Sequence, residues 1–421
     1  MEKSCEIIQK SEVFLEGENL EVAKRIKTIK NFMDSVIDDS IIETTNGVLD
    51  YFNRFLNGDF DFVIKLLDEK YPLFEFQIIN SLIEAKTSKI DNCISVPNFV
   101  TNLELNECET LTSLEGLPSG LKNLKIEYCE NLTSLEGLPS CLKSLEIKWC
   151  GTLRSLKGLP TGLVSLKVDE CETLTSLEGL PVGLKSLEIS NCGQFRSLEG
   201  LPSGLQSLKI NRCDNIKNLK GLPDGLESLL VSTYFLSLIS LEGLPEGLQS
   251  LDVCGSAKLK SLEGLPEGLK SLNILRCENL ASLKGLPAGL EMLKISKVLN
   301  LESMKGLPVD LRSLEIQSCH GLKHLEGLHS GLKSLRISLC PDLESFEGLP
   351  KGLEGLVIAF CKNLTSLEGL PEGMESLNIL RCENLASLKG LPAGLENLEI
   401  DEISRINLDE ESLKMLEEFG V

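Results

Sequence analysis

One phrase governs this chain. From Thr101 to about Ile400 it reads LxxLxIxxCxxLxSLxGLPxG repeatedly, with prolines at 118, 139, 160, 181, 202 and 223, then 245, 266, 287, 308, 350, 371 and 392. The period is 21 residues, slips once to 22 between Pro223 and Pro245, and continues through His329, which stands where a proline is due. The strand-like segment occurs fifteen times. In one unit the recurring apolar positions are Leu121, Leu124, Ile126, Cys129, Leu132, Leu135 and Leu138, and a segment of this size cannot enclose them alone. Successive units must stack and bury each other.

The alternation in Leu124-Lys125-Ile126 has a period of two, which predicts a short strand with Leu and Ile inward and Lys outward. Equivalent segments then pair as a parallel sheet. Each buried Leu or Ile contributes roughly 1.5–3 kcal/mol before conformational entropy is subtracted, so several per unit hold an array together. Gly137 and Pro139 mark the return path, where a helix of normal length has no room; extended or turn-like backbone is expected there.

Eleven of the fifteen cysteines, Cys108, Cys129, Cys150, Cys171, Cys192, Cys213, Cys277, Cys319, Cys340, Cys361 and Cys382, occupy one position of the repeat, and no CxxC pair occurs. Rungs of such a ladder lie about 4.8 Å apart with their Cβ vectors parallel, a poor match to the dihedral of about 90° that a disulfide needs. The thiols therefore read as small buried apolar groups with weak S–H donors, kept in a reducing, cytosolic compartment.

The segment Leu121 to Leu132 resembles the leucine-rich repeat LxxLxLxxN/CxL, with one extra residue before the last Leu. The recurrent Leu-Pro resembles the LPX-type repeats of bacterial effectors, the YopM-like repeat-only proteins and the IpaH ligases. Cysteine in place of asparagine and a longer unit depart from both, and the cysteine-bearing repeats of plant resistance proteins are similar locally. The resemblance spans roughly 300 residues. It implies an α/β repeat solenoid, a curved horseshoe with a parallel sheet on its concave face. On this reading residues 1–95 form a helical N-terminal domain or cap, 96–403 the repeats and 404–421 a short C-terminal cap helix.

Composition narrows the partners. With 42 basic and 63 acidic residues the net charge is −21, which repels phosphate backbones and anionic lipid heads. Neither a Sec-type signal nor a stretch of 18 uninterrupted apolar residues is read in the sequence, so a soluble chain is expected. Before the repeats, Leu20, Val22, Ala23, Ile26 and Ile29 are spaced for one apolar helix face, followed by helical segments near 40–57, 59–70 and 73–86. After them, NLDEESLKMLEEFGV fits a helix with Asp409 and Glu410 in its first turn. The same acidic tail resembles the C-terminal signals of type IV secreted effectors.

Chemistry is sparse. The three histidines, His320, His324 and His329, fall in one degenerate unit and read as drift, and no metal or cofactor site is expected. IpaH ligases carry their chemistry after the repeats, whereas about twenty residues follow Ile400 here, so that activity is not expected. A plant-type immune-receptor fragment is disfavoured by the lack of a GxxxxGK[ST] phosphate loop.

Specificity then falls to the outward side chains. Between Leu and Ile the outward residue runs Glu104, Lys125, Glu146, Lys167, Glu188, Lys209, alternating in sign, so each charge faces its opposite one rung away. Before the ladder cysteine, Tyr128 and Trp149 stand out among small or polar residues, with Lys148 beside them. Neighbouring aromatics on a polar rim are suited to anchoring a protein interface; they equally suit covering the first coils beneath the N-terminal helices. Leu339, Val357, Phe360 and Leu380, flanked by Arg336 and Arg381, form a second apolar candidate with an arginine rim. Residues 266–295 and 371–400 differ at four of thirty positions, as in a duplicated block, which suits surface recognition better than catalysis at fixed coils. The expectation is a non-enzymatic scaffold for protein partners, in the image of a bacterial effector acting on host signalling proteins in the host cytoplasm. The alternative is an adaptor or ubiquitin-ligase-type effector whose N-terminal helical region acts on repeat-bound targets.

Overall fold

The alternation of each unit settles into a strand of four or five residues, inward at its second and fourth positions. The computed structural model describes residues 101–420 apart from 214, 217, 233–237 and 302; the helices expected over residues 1–95 lie outside the described residues. Fifteen strands succeed one another: β1 (Asn102–Asn106), β2 (Asn123–Glu127), β3 (Ser144–Lys148), β4 (Ser165–Asp169), β5 (Ser186–Ser190), β6 (Ser207–Asn211), β7 (Ser228–Ser232), β8 (Ser250–Cys254), β9 (Ser271–Leu275), β10 (Met292–Ser296), β11 (Ser313–Gln317), β12 (Ser334–Ser338), β13 (Gly355–Ala359), β14 (Ser376–Leu380) and β15 (Asn397–Ile400). Two compact units divide the chain, Met1–Ser186 and Leu187–Val421.

In the first unit β1 to β4 pair in parallel and in chain order, with Leu103 beside Leu124 beside Leu145 beside Leu166. In the second, β6 to β15 do the same, and the slip to 22 residues falls between β7 and β8, where Ser228 still faces Ser250. Register is thus kept across the inserted residue. The ladder extends beyond each strand: the Lys122 and Asn123 N–H groups both donate to the Thr101 carbonyl, and Lys143 and Ser144 repeat this on Lys122.

The core is one apolar column per repeat position. Leu121, Ile126, Cys129, Leu132 and Leu135 are fully buried and Leu124 nearly so. Leu138 is the exception to the expected inward set, being only half-buried, as are Leu159 and Leu180 at the same position. The reason lies in the neighbouring glycine. Gly158 has φ +98°, and a Cβ there would lie 2.6 Å from the Leu135 carbonyl carbon and the Glu136 nitrogen. Coils therefore close backbone to backbone at this corner, which turns the following Leu part-way out. The return path carries turns and extended backbone, as expected.

The C-terminal end is covered by α1 (Glu402–Arg405) and α2 (Glu410–Phe419). Asp409 is the N-cap of α2, accepting from the Ser412 N–H, with Glu410 and Glu411 in the first turn. Last-coil donors that lack a following coil find side chains instead. Asp401 Oδ1 accepts from the Arg381 N–H at 3.0 Å, Ser404 Oγ from Cys382 at 2.9 Å and Ser412 Oγ from Leu388 at 2.7 Å. No helix among the described residues is long and apolar enough to cross a membrane.

Candidate protein-binding surface

Each strand ends against the same local bend. The residue just before the ladder position, which holds Val298 or Ser256 in two coils and otherwise cysteine, has a positive φ in coil after coil: Glu107, Tyr128, Trp149, Glu170, Asn191, Arg212, Arg276, Lys297, Ser318, Leu339, Phe360 and Arg381 lie between 50° and 57°, and Gly255 at 78°. Such left-handed backbone suits Gly or Asn and costs other residues roughly 1–2 kcal/mol each. An interstrand hydrogen bond accompanies the bend, and where a cysteine follows, its thiol adds a second. The N–H of the bent residue reaches the last carbonyl of the next strand, as Tyr128 does to Lys148 at 3.1 Å and Trp149 to Asp169 at 3.0 Å. The cysteine that follows folds back under the bend and donates its S–H to the carbonyl two residues earlier, at 3.4 Å for Cys129 to Glu127 and for Cys150 to Lys148.

The ladder thiols are thus internal donors. None of the eleven forms a disulfide in the described structure, and all are buried. Burial pushes Cys150 and Cys382 up to about 11 and Cys171, Cys277, Cys340 and Cys361 up to about 12. A hydrogen bond with Cys108 is the main cause raising Cys129 further, with burial adding to it. At pH 7 a thiol at about 12 is ionised in roughly one molecule in 10⁵, so these four are poor nucleophiles.

These coils answer to a known plan: a short inward-Leu strand, a bend over a buried ladder residue, and a turn-rich return within each 21-residue unit. The described coils have the leucine-rich-repeat fold. Three solved structures are similar to this chain. YopM from Yersinia enterocolitica is 26% identical with a TM-score of 0.35, the match covering 72% of this chain and 78% of YopM. CroV588, described as a circular leucine-rich-repeat protein, is 18% identical with a TM-score of 0.41, over 73% of this chain and 57% of that one. An internalin from Listeria monocytogenes is 18% identical with a TM-score of 0.35, over 72% and 87%. No family model and no curated protein matches the chain.

In the first unit the bends of β2 and β3 present Tyr128 and Trp149. Their rings stack with centroids 4.5 Å apart and planes 4° from parallel, and Tyr128 is 41% exposed. The stack borders a hollow of about 580 Å³ whose other walls include Glu130, Gly151, Glu170 and Glu172. Lys148 is next to them in sequence but is engaged on the sheet face. Its Nζ lies 2.7 Å from Glu146 and 3.4 Å from Glu127, within a chain of pairs that also joins Lys125 to Glu104 and Glu127. The Glu146 hydrogen bond raises the Lys148 ammonium above the usual lysine range against the opposing effect of burial, and Glu127 adds to the rise. Burial pushes the Glu127 carboxyl up, and Lys125 and Lys148 together outweigh it and hold the group below the usual range. The alternating stripe is therefore a structural charge ladder at these coils.

In the second unit Leu339, Phe360 and Arg381 are successive bend residues, and the Arg381 guanidinium sits over the Phe360 ring at 5.6 Å from its centroid. Arg336 and Val357 are register partners in the middle of β12 and β13, with Arg336 exposed and Val357 half-buried. Leu380 ends β14 and is half-buried, beside the buried Ala359 of β13. Among the described residues no group of three His, Cys, Asp or Glu side chains is placed to hold a metal ion; His329 accepts from the Gly331 N–H through Nδ1.

Sequence reasoning missed Gly151, Glu130, Glu170 and Glu172 as neighbours of the aromatics. The signal was present in two columns: Glu107-Tyr128-Trp149-Glu170 before the cysteine, and Glu109-Glu130-Gly151-Glu172 after it.

Proposed function

We propose that this protein is a protein-binding scaffold that presents its recognition residues on the bends at the strand ends. The observation that carries this reading is the stack of exposed Tyr128 on half-buried Trp149, both held on left-handed backbone at the strand ends. Large rigid aromatics are enriched among the residues that dominate interface energies. The Leu339–Phe360 surface with Arg336 and Arg381 supplies a second contact region of the same kind. The buried, reduced thiol ladder fits a reducing compartment. The Leu-Pro repeats and their likeness to effector repeats support the finer reading of a bacterial effector that binds host signalling proteins in host cytoplasm.

Affinity capture from host-cell lysate tests it, comparing the full chain with a Tyr128→Ala/Trp149→Ala variant matched for folding by circular dichroism. Loss of specific partners from the variant is expected. Identical capture by both would remove recognition from this rim and leave a Leu339→Ser/Phe360→Ala variant as the next arm.

A further inference from the structure

The two bend columns differ in the charge of the residue that follows the aromatic, and that difference points to a ligand. At Phe360 the next bend residue is Arg381, whose guanidinium lies over the ring at 5.6 Å. At Trp149 the next bend residue is Glu170. Tyr128 covers the face of Trp149 on the side of the preceding coil, so the opposite face is directed toward the coil of Glu170. The hollow beside it is walled by Glu130, Glu170 and Glu172, none of which forms an ion pair among the described residues, and no cation lines it. Its space exists because Gly151 has no side chain there: a Cβ at Gly151 would meet nothing within 4 Å.

We propose that this hollow binds an arginine side chain from an unstructured basic segment of a protein partner, the guanidinium stacking on Trp149 and bonding to Glu170 and Glu172. The inference rests on the scaffold reading and names its partner's chemistry. A flat guanidinium extends the nearly parallel Tyr–Trp stack, gains cation–π attraction from the indole and offers a fork of N–H donors to two carboxylates, where a lysine ammonium offers a point charge. Lys148 does not compete for the site, because Glu146 and Glu127 hold it on the sheet. The chain's charge of −21 favours approach of a basic segment.

Trp149 is the only tryptophan, so its emission reports on this hollow in the intact protein. The full chain is titrated with a Gly/Ser peptide carrying one arginine, with the same peptide carrying citrulline, and with the lysine version. A saturable change in emission is expected with arginine, and binding roughly tenfold weaker with citrulline, which keeps the shape and loses the charge. Gly151→Leu should abolish the arginine response, and Glu170→Gln/Glu172→Gln should weaken it several-fold. Because Gly151 is not left-handed and its Cβ direction is open, Gly151→Leu should keep the parent's circular dichroism and melting temperature. If it does not, the glutamine pair carries the test.

Equal response to arginine and citrulline overturns the proposal, as does an arginine response untouched by the glutamine pair or by a folded Gly151→Leu. Tighter binding of the lysine peptide overturns the guanidinium assignment. Should arginine fail while Tyr128→Ala/Trp149→Ala still loses its lysate partners, this inference falls and the scaffold reading stands.

Discussion

At the scale of single residues, the position before each ladder residue, a cysteine in most coils and Val298 after Lys297, decides how the rim is built. Twelve non-glycine residues there have φ between 50° and 57°, among them Trp, Tyr, Phe and Leu. No local preference of those side chains selects such backbone; the interstrand N–H bond accompanies it, at Lys297 and Gly255 too, where no cysteine follows. The fold thus decides the backbone and leaves the side chain free to vary outward. Lys297, exposed and bent at φ 53°, isolates the cost. Lys297→Gly should raise stability by up to about 1 kcal/mol, the relief of left-handed strain less the extra chain entropy of glycine, whereas β-branched Lys297→Val should lower it. Chemical denaturation of the three proteins checks this, with Gly255 at the same position as the natural precedent.

At the scale of elements, coils stabilise each other through repeated columns, and the last coil needs a substitute neighbour. Asp401 supplies part of it, accepting from Ser404 N–H at 3.0 Å, Ser404 Oγ–H at 2.5 Å and Arg381 N–H at 3.0 Å. Burial tends to raise its carboxyl, and the Ser404 and Arg381 bonds outweigh this and hold it below the ordinary 3.8. A depressed carboxylate stabilises the fold fully above its unfolded value and loses that contribution as pH falls through the folded value. Asp401→Asn should therefore cost stability at pH 7, by about 1 kcal/mol on the scale of helix caps, and the gap from the parent should close as pH drops below 3.8. A gap that is constant from pH 7 to pH 2.5 would contradict the assignment of this carboxylate to the cap. The fold at this scale was legible in advance because Leu124, Ile126 and Cys129 repeat with the period of one coil, and a period of two places Leu and Ile inward. The half-exposed Leu138 was not legible, because its tilt follows from backbone contact at the glycine corner rather than from hydropathy.

At the scale of the molecule, a uniform interior and a variable rim separate stability from recognition. The candidate rim was partly legible: Trp149 and Tyr128 are conspicuous as residue types, and the period makes them neighbours. The role of Lys148 was not, since ion pairing across strands depends on side-chain reach that a register alone does not give. Nor was the hollow, which arises from a missing side chain at Gly151 between two glutamates. We propose the Trp149 rim as the surface by which the protein holds another protein. Acrylamide quenching of Trp149 fluorescence tests it most directly, performed on the free chain and on its complex with a captured, tryptophan-free partner or partner fragment. The account expects ready quenching in the free chain and protection in the complex; equal quenching in both states would contradict it.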